Sequence, residues 1–220
     1  MKVQLVLLSA LFSLSLLAQE NGKAIKGDTT VITRHSSGMV MSITHYKAGK
    51  KDGLELFISP EGDVIREENF KAGKPHGKTV KYMQSGDPLE VTHYSNGRLN
   101  GEHIKYYQSG KVQEKVFYEN GVKHGPAVWY YQNGNTVTEY TYVKGSIEGE
   151  SKTYYLDGSI KGISLYEENE RNGDYREFYN SGEIKIEGQY KDDMKTGKWK
   201  IYDLEGNVAR TDKYKKGELR

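Results

Sequence analysis

The chain has 220 residues, 35% hydrophobic and 28% charged, which leaves too little apolar material for a thick two-layer core. Yet 18 tyrosines and 25 glycines set it apart from aromatic-poor disordered chains. A net charge of +2 gives no general argument for nucleic acid, and the absence of cysteine excludes a disulfide framework, thiol chemistry and a lipidated cysteine.

The first element is MKVQLVLLSALFSLSLLAQE. Lys2 is followed by an apolar run from Val3 to Leu17, then small Ala18 before Gln19 and Glu20. The run is short for a spanning helix and reads as a secretory signal peptide over residues 1–18, an uncleaved anchor being the other reading. The mature protein is therefore expected to be exported: periplasmic, outer-membrane-associated or extracellular. Residues 19–36 form an N-terminal linker or cap, expected to be loosely ordered because it precedes the register described next.

Residues 37–220 read as one repeat domain with a period of 24. Repeats start at Gly49, Gly73, Gly97, Gly121, Gly145, Asn169 and Asp193, with a fragment from Gly217 and a half repeat before Gly49. Position 5 is glycine from Gly53 to Gly197, and position 14 is glycine from Gly62 to Gly206. Position 22 is aromatic from Phe70 to Tyr214, and position 10 is Ile58, Tyr82, Tyr106, Tyr130, Tyr154, Phe178 and Tyr202. Seven copies without an insertion make the repeat the fold.

Each repeat reads as a β-hairpin. Segments such as EHIKYYQ and KVQEKVFY alternate side chains and are bounded by turn residues. A three-residue loop ending in the position-14 glycine fits a type I turn with a G1 bulge. It pairs position 11 with 15, 10 with 16 and 8 with 18. Even positions then share one face, which lines up the position-10 and position-22 aromatics with Val64, Val112, Ile160, Ile184 and Val208. The expected fold class is all-β: an elongated single-layer antiparallel sheet of repeated hairpins, with about fifteen strands, almost no helix after residue 18 and a length of roughly 70 Å.

Several motifs dissolve in this register. The glycines of GVKHGPAVWYYQNG (121–134) are repeat-wide turn positions. His76 and His124 sit two repeats apart, ~19 Å at sheet spacing, too far to share a metal. AGKPHGKT (72–79) fits a relaxed phosphate-loop pattern around Lys78 and Thr79, but a strand follows where that chemistry needs a helix. No triad or paired-carboxylate arrangement breaks the pattern, so the chain reads as non-catalytic, without metal or cofactor.

Two stripes are candidate binding residues. Position 11 is Tyr107, Tyr131, Tyr155 and Tyr179 in four central repeats, expected on the face opposite the position-22 aromatics together with Trp129, Tyr175 and Trp199. These rings either only thicken the sheet or form an exposed track for a glycan or protein. Replacing Tyr131 and Tyr155 together should then leave melting nearly unchanged. The second stripe is basic: Lys71, Lys74, Arg98, Lys123, Lys144, Arg171, Lys191 and Lys195, either solvated turn residues or an edge for anionic head-groups and wall polymers.

GRLNGEHIKYYQSGKVQEKVFYEN and GVKHGPAVWYYQNGNTVTEYTYVK resemble the MORN-repeat-variant family, a bacterial relative of the MORN (membrane occupation and recognition nexus) repeat, over about residues 36–220. The units lack the Trp-rich YxGxWxxG of eukaryotic MORN repeats. WYYQNG is also similar to choline-binding wall repeats, which have a shorter unit and more tryptophan. The resemblance implies an elongated single-layer sheet of hairpins without enzyme activity, and many members carry an antitoxin label. Together these features lead to the expectation of an exported scaffold of the cell envelope that binds a protein partner, an envelope glycan or an anionic polymer, with peripheral membrane contact and no nucleic acid. The alternative is an antitoxin or immunity-type protein that neutralises a partner by direct binding.

Overall fold

A computed structural model describes residues 27–220. The expected signal peptide, 1–18, and residues 19–26 of the expected linker lie outside the described residues. Those described contain 19 strands and no helix.

The chain divides into two compact bodies, up to Asn100 and from Gly101 on. The first contains β1 (Thr29–Arg34), β2 (Val40–Lys47), β3 (Lys50–Ile58), β4 (Val64–Lys71), β5 (Lys74–Pro75), β6 (Gly77–Tyr82) and β7 (Pro88–Ser95). β8 (Arg98–Tyr106) starts just before the division. The second body continues with β9 (Val112–Glu119), β10 (Val122–Tyr130), β11 (Thr136–Val143), β12 (Ser146–Ile147), β13 (Gly149–Tyr154), β14 (Ile160–Glu167), β15 (Glu170–Phe178), β16 (Ile184–Lys191), β17 (Met194–Tyr202), β18 (Val208–Lys215) and β19 (Glu218–Leu219). Within each body successive strands pair antiparallel in chain order, as one layer. β5 with β6, and β12 with β13, are strands interrupted at His76 and Glu148.

The loop at positions 12–14 is as expected. Tyr131 N–H donates to Asn135 O and Gly134 N–H to Tyr131 O, both at 2.8 Å, and Gly134 takes φ +98°. Position 10 faces 16 in every hairpin, as in Tyr130↔Thr136 and Tyr154↔Ile160.

Beyond that pair the register departs from expectation. Trp129 at position 9 faces Thr138 at position 18, and Val128 at position 8 faces Glu139 at position 19, so Val137 at position 17 is bulged out. The bulge recurs in each hairpin, and an extra residue reverses the parity of everything after it. One face consequently carries positions 7, 9, 18, 20 and 22, and the other carries 8, 10, 16 and 19. The position-22 aromatics thus lie opposite the position-10 aromatics, contrary to the expectation that they share a face. Trp129, Tyr175 and Trp199 share the position-22 face, also contrary to expectation.

The other hairpin end is a two-residue turn at positions 24 and 1. Both residues have positive φ, as in Lys144 (+50°) and Gly145 (+94°), the pattern of a type I′ turn. Where glycine is missing at position 1, Asn169 (+73°) and Asp193 (+60°) stand in, the side chains that tolerate this region best. The position-5 glycine is not in a turn. It lies inside the strand, in a second bulge where three residues face one: Asn172, Gly173 and Asp174 stand opposite Leu165. Gly173 takes φ +122° there.

Successive turns are tied together. The position-1 N–H donates to the position-3 carbonyl of the preceding repeat: Gly73 to Lys51 (2.7 Å), Gly145 to Lys123 (2.9 Å) and Gly217 to Lys195 (3.0 Å). The position-24 N–H donates to the position-4 side chain of its own repeat, which is Asp52 for Ala72, His76 for Asn96, His124 for Lys144 and Glu148 for Glu168. The two histidines are thus acceptors within the repeat. The same pattern explains a further correction: Thr29–Arg34 is a strand, not a loose linker. Gly27 O accepts from Gly49 N–H (3.1 Å) and Asp28 from Ala48 N–H (3.0 Å), so these residues act as positions 3 and 4 of an earlier repeat.

Candidate binding surface

Positions 7 and 20 face each other at the middle of the strands, covered by neighbours on both sides, and hold most of the buried residues of a sheet with no second layer; Val80 and Val91 are buried on the opposite face. In the first body this stripe is polar: Thr44, Glu55, Thr79 and Thr92 are all buried, and Thr44 Oγ1 donates to Glu55 Oε1 at 2.8 Å while Lys51 Nζ holds the same carboxylate. Thr79, the would-be magnesium residue of the phosphate-loop match, belongs to this stripe on strand β6. In the second body the stripe becomes mostly apolar and aromatic: Val116, Ala127 and Trp199 are buried there, with Ser151 as a polar exception. Trp199 packs edge-to-face on Tyr190 (centroids 5.0 Å) and Tyr214 (6.1 Å), and tilted on Tyr175 (5.5 Å). It is 2% exposed and offers no ring to a ligand. Trp129 is half-buried, edge-on to Tyr140 at 5.7 Å.

The position-11 tyrosines work between repeats. Tyr107 Oη donates to Tyr130 O (2.6 Å), Tyr131 to Tyr154 O (3.0 Å), Tyr155 to Phe178 O (2.7 Å) and Tyr179 to Tyr202 O (2.7 Å). Each acceptor is the position-10 carbonyl of the next repeat. All four rings are half-buried with their polar ends engaged.

The basic stripe splits by position. Position-3 cations lie over position-22 rings: Lys51 over Phe70 (4.9 Å), Lys123 over Tyr142 (4.9 Å), Arg171 over Tyr190 (3.9 Å) and Lys195 over Tyr214 (5.1 Å). Arg171 also pairs with Asp193 at 2.8 Å. Lys74 and Arg98 at position 2, and Lys144 at position 24, are exposed.

On the opposite face, position-10 hydroxyls reach position-19 carboxylates. Tyr154 donates to Glu139 (2.6 Å) and Tyr202 to Glu187 (2.7 Å). Burial, then the neighbouring carboxylate, pushes the hydroxyls of Tyr82 and Tyr154 up to about 12. A tyrosine in the unfolded chain ionises near pH ~10, so the stability held in these neutral hydroxyls is complete below about 10 and is lost from there to about 12. Urea titrations across that range should show stability falling, with a shallower fall in Tyr154→Phe. An equal slope in both proteins would refute this role.

One depression of about 240 Å³ opens on this face, between β15, β16 and β17. Its side chains are Asp174, Arg176, Glu187, Gln189, Lys198 and Lys200. Hydrogen bonds from Lys200, then Tyr202, hold the Glu187 carboxyl below the usual carboxylate range. No signal in the repeat pattern marks Lys198, whose position 6 follows no pattern, and Arg176 is marked only by a change at position 8. Position 8 is apolar from Leu56 to Val128 and cationic from Lys152 to Lys200. No group of three or more metal-ligating side chains occurs among the described residues.

A model of the family described as "MORN repeat variant" matches five segments of the chain: 99–120, 123–144, 147–168, 171–192 and 195–216. They run in step with the 24-residue register, from position 3 to position 24. A search of curated proteins finds no match.

Proposed function

The chain belongs to the MORN repeat variant family, and from that membership we propose an exported, non-catalytic scaffold of the cell envelope that binds a protein partner or an envelope polymer. The observation that carries the reading is how the bonds that recur from repeat to repeat are spent. Turn N–H groups and position-11 hydroxyls link one repeat to the next and position-4 side chains close each repeat on itself, while Lys74, Arg98 and Lys144 point to solvent from the turn edge. A surface repeated every two strands, at ~9.6 Å, suits a partner that is itself extended or repetitive. The apolar leader at 1–18 supports export.

The test is fractionation of cells expressing the full chain, followed by capture from envelope extract on the purified repeat domain. The expected result is an extracytoplasmic chain that retains a discrete envelope component. If the basic edge carries the contact, raising salt from low to physiological strength releases it, and Lys74→Ala with Arg98→Ala weakens it. A chain that stays in the cytosol, or captures nothing beyond what a charge-matched control captures, refutes the reading.

A further inference from the structure

In a repeat protein, the informative places are those where one repeat differs from its siblings on several strands at once. The last two complete repeats do so. Position 20 is glycine only at Gly188, position 7 is tryptophan only at Trp199, and position 8 is arginine only at Arg176. Gly188 leaves room for Trp199, since a Cβ there would stand 2.3 Å from Trp199 Cδ2. The backbone of Gly188 also forms part of the depression on the other face. Its floor is thus a strand clamped from behind by the Tyr175–Tyr190–Trp199 ring cluster. A rigid floor reduces the ordering cost of binding at an otherwise shallow site.

The charges inside are unevenly satisfied. Asp174 accepts from Gln189 Nε2 at 3.0 Å, and Glu187 accepts from Lys200 (2.8 Å) and Tyr202 (2.7 Å). Arg176 and Lys198 are exposed and make no hydrogen bond or ion pair among the described residues. Arg176 faces Glu187 across the strand pair and its charge helps keep that carboxylate ionised, but its N–H donors, like those of Lys198, are left unused beside carboxylates that already hold partners. The free lone pairs of Asp174 and Glu187, with the Gln189 amide, remain available to hydroxyl groups.

The geometry points to this depression as a binding site for one anionic sugar ring. Arg176 and Lys198 receive its carboxylate or phosphate, and Asp174, Glu187 and Gln189 bond its hydroxyls. Guanidinium suits either anion through paired N–H donors. A cavity of about 240 Å³ is smaller than the roughly 300–1,000 Å³ of sites for drug-sized ligands, which fits a single ring rather than an oligosaccharide. The inference rests on the reading above only for the polymer to which such a ring would belong.

The test is calorimetric titration of the purified chain, at low salt, with glucuronate, glucose 6-phosphate and glucose. Saturable binding of one or both anions is expected, with glucose weaker by about tenfold or more; which anion binds tells carboxylate from phosphate. Arg176→Ala and Lys198→Ala should each lower affinity about tenfold with little shift of the melt, because neither side chain holds a hydrogen bond and the attraction of exposed Arg176 to Glu187 is screened by solvent. Lys78→Ala, at an exposed cation of another repeat, should change nothing. Equal binding of glucose, equal loss in Lys78→Ala, or no saturable anion binding would overturn the site. Sugar binding by a chain found in the cytosol supports the site and sinks only the export reading. Envelope capture that survives in a chain blind to both anions sinks only the site.

Discussion

Gly188→Ala is expected to unseat Trp199 and destabilise the chain by about 3–5 kcal/mol, the range for deleting a large buried aromatic. The new methyl would lie 2.3 Å from Cδ2 and 2.4 Å from Cε2 of an indole that is 2% exposed. Repacking has nowhere to go, because Tyr175, Tyr190 and Tyr214 surround the ring and Lys195 covers it at 4.3 Å. Trp199 Nε1 is also a buried donor with no partner, so the seat depends on ring packing alone. Urea denaturation measures the loss, and a red shift of tryptophan emission reports the ejected ring. A double-mutant cycle settles the cause: in a Trp199→Ala background, Gly188→Ala should be almost neutral. The same cost in both backgrounds would mean that backbone strain, not the indole, is responsible.

Tyr131→Phe combined with Tyr155→Phe is expected to cost about 1–3 kcal/mol, since each change removes one inter-repeat hydrogen bond worth roughly 0.5–1.5 kcal/mol. This reverses the expectation from sequence that the pair could be replaced with little effect on melting. The two hydroxyls donate to the carbonyls of Tyr154 and Phe178, each in the following repeat, so the loss falls on repeat-to-repeat coupling. In a stack held by nearest neighbours, weakening two successive interfaces should broaden the thermal transition as well as lower it. Thermal and urea melts of the double variant measure both. A melt superimposable on that of the parent chain would show that these hydroxyls contribute nothing, and would return the tyrosines to the status of a free surface.

The repeat grid was legible in the sequence because backbone geometry demands the same residues at the same steps. Position 14 needs positive φ after a type I turn, and the pairing of 10 with 16 follows from it, as Tyr130↔Thr136 bears out. Membership of the MORN repeat variant family was legible for the same reason: its match rests on this spacing. The face of each ring was not. One bulged residue per hairpin, such as Val137 or Lys161, is silent in composition, yet it moves every later side chain to the other side.

The buried stripe at positions 7 and 20 was equally silent. Glu55, Thr79, Ala127, Ser151 and Trp199 share one environment but no common chemistry, because burial there comes from neighbouring strands rather than from an apolar pattern. The part-nature of Gly188, a gap matched to an indole 11 residues away in sequence, exists only across a strand pair. By itself, then, the sequence determined the local events: the strands, the loop at positions 12–14 and the 24-residue period, each set by φ preferences and alternation within a few residues. Only the tertiary structure decided which side chains meet, because contacts across strands depend on register, and register is the sum of every turn and bulge before it.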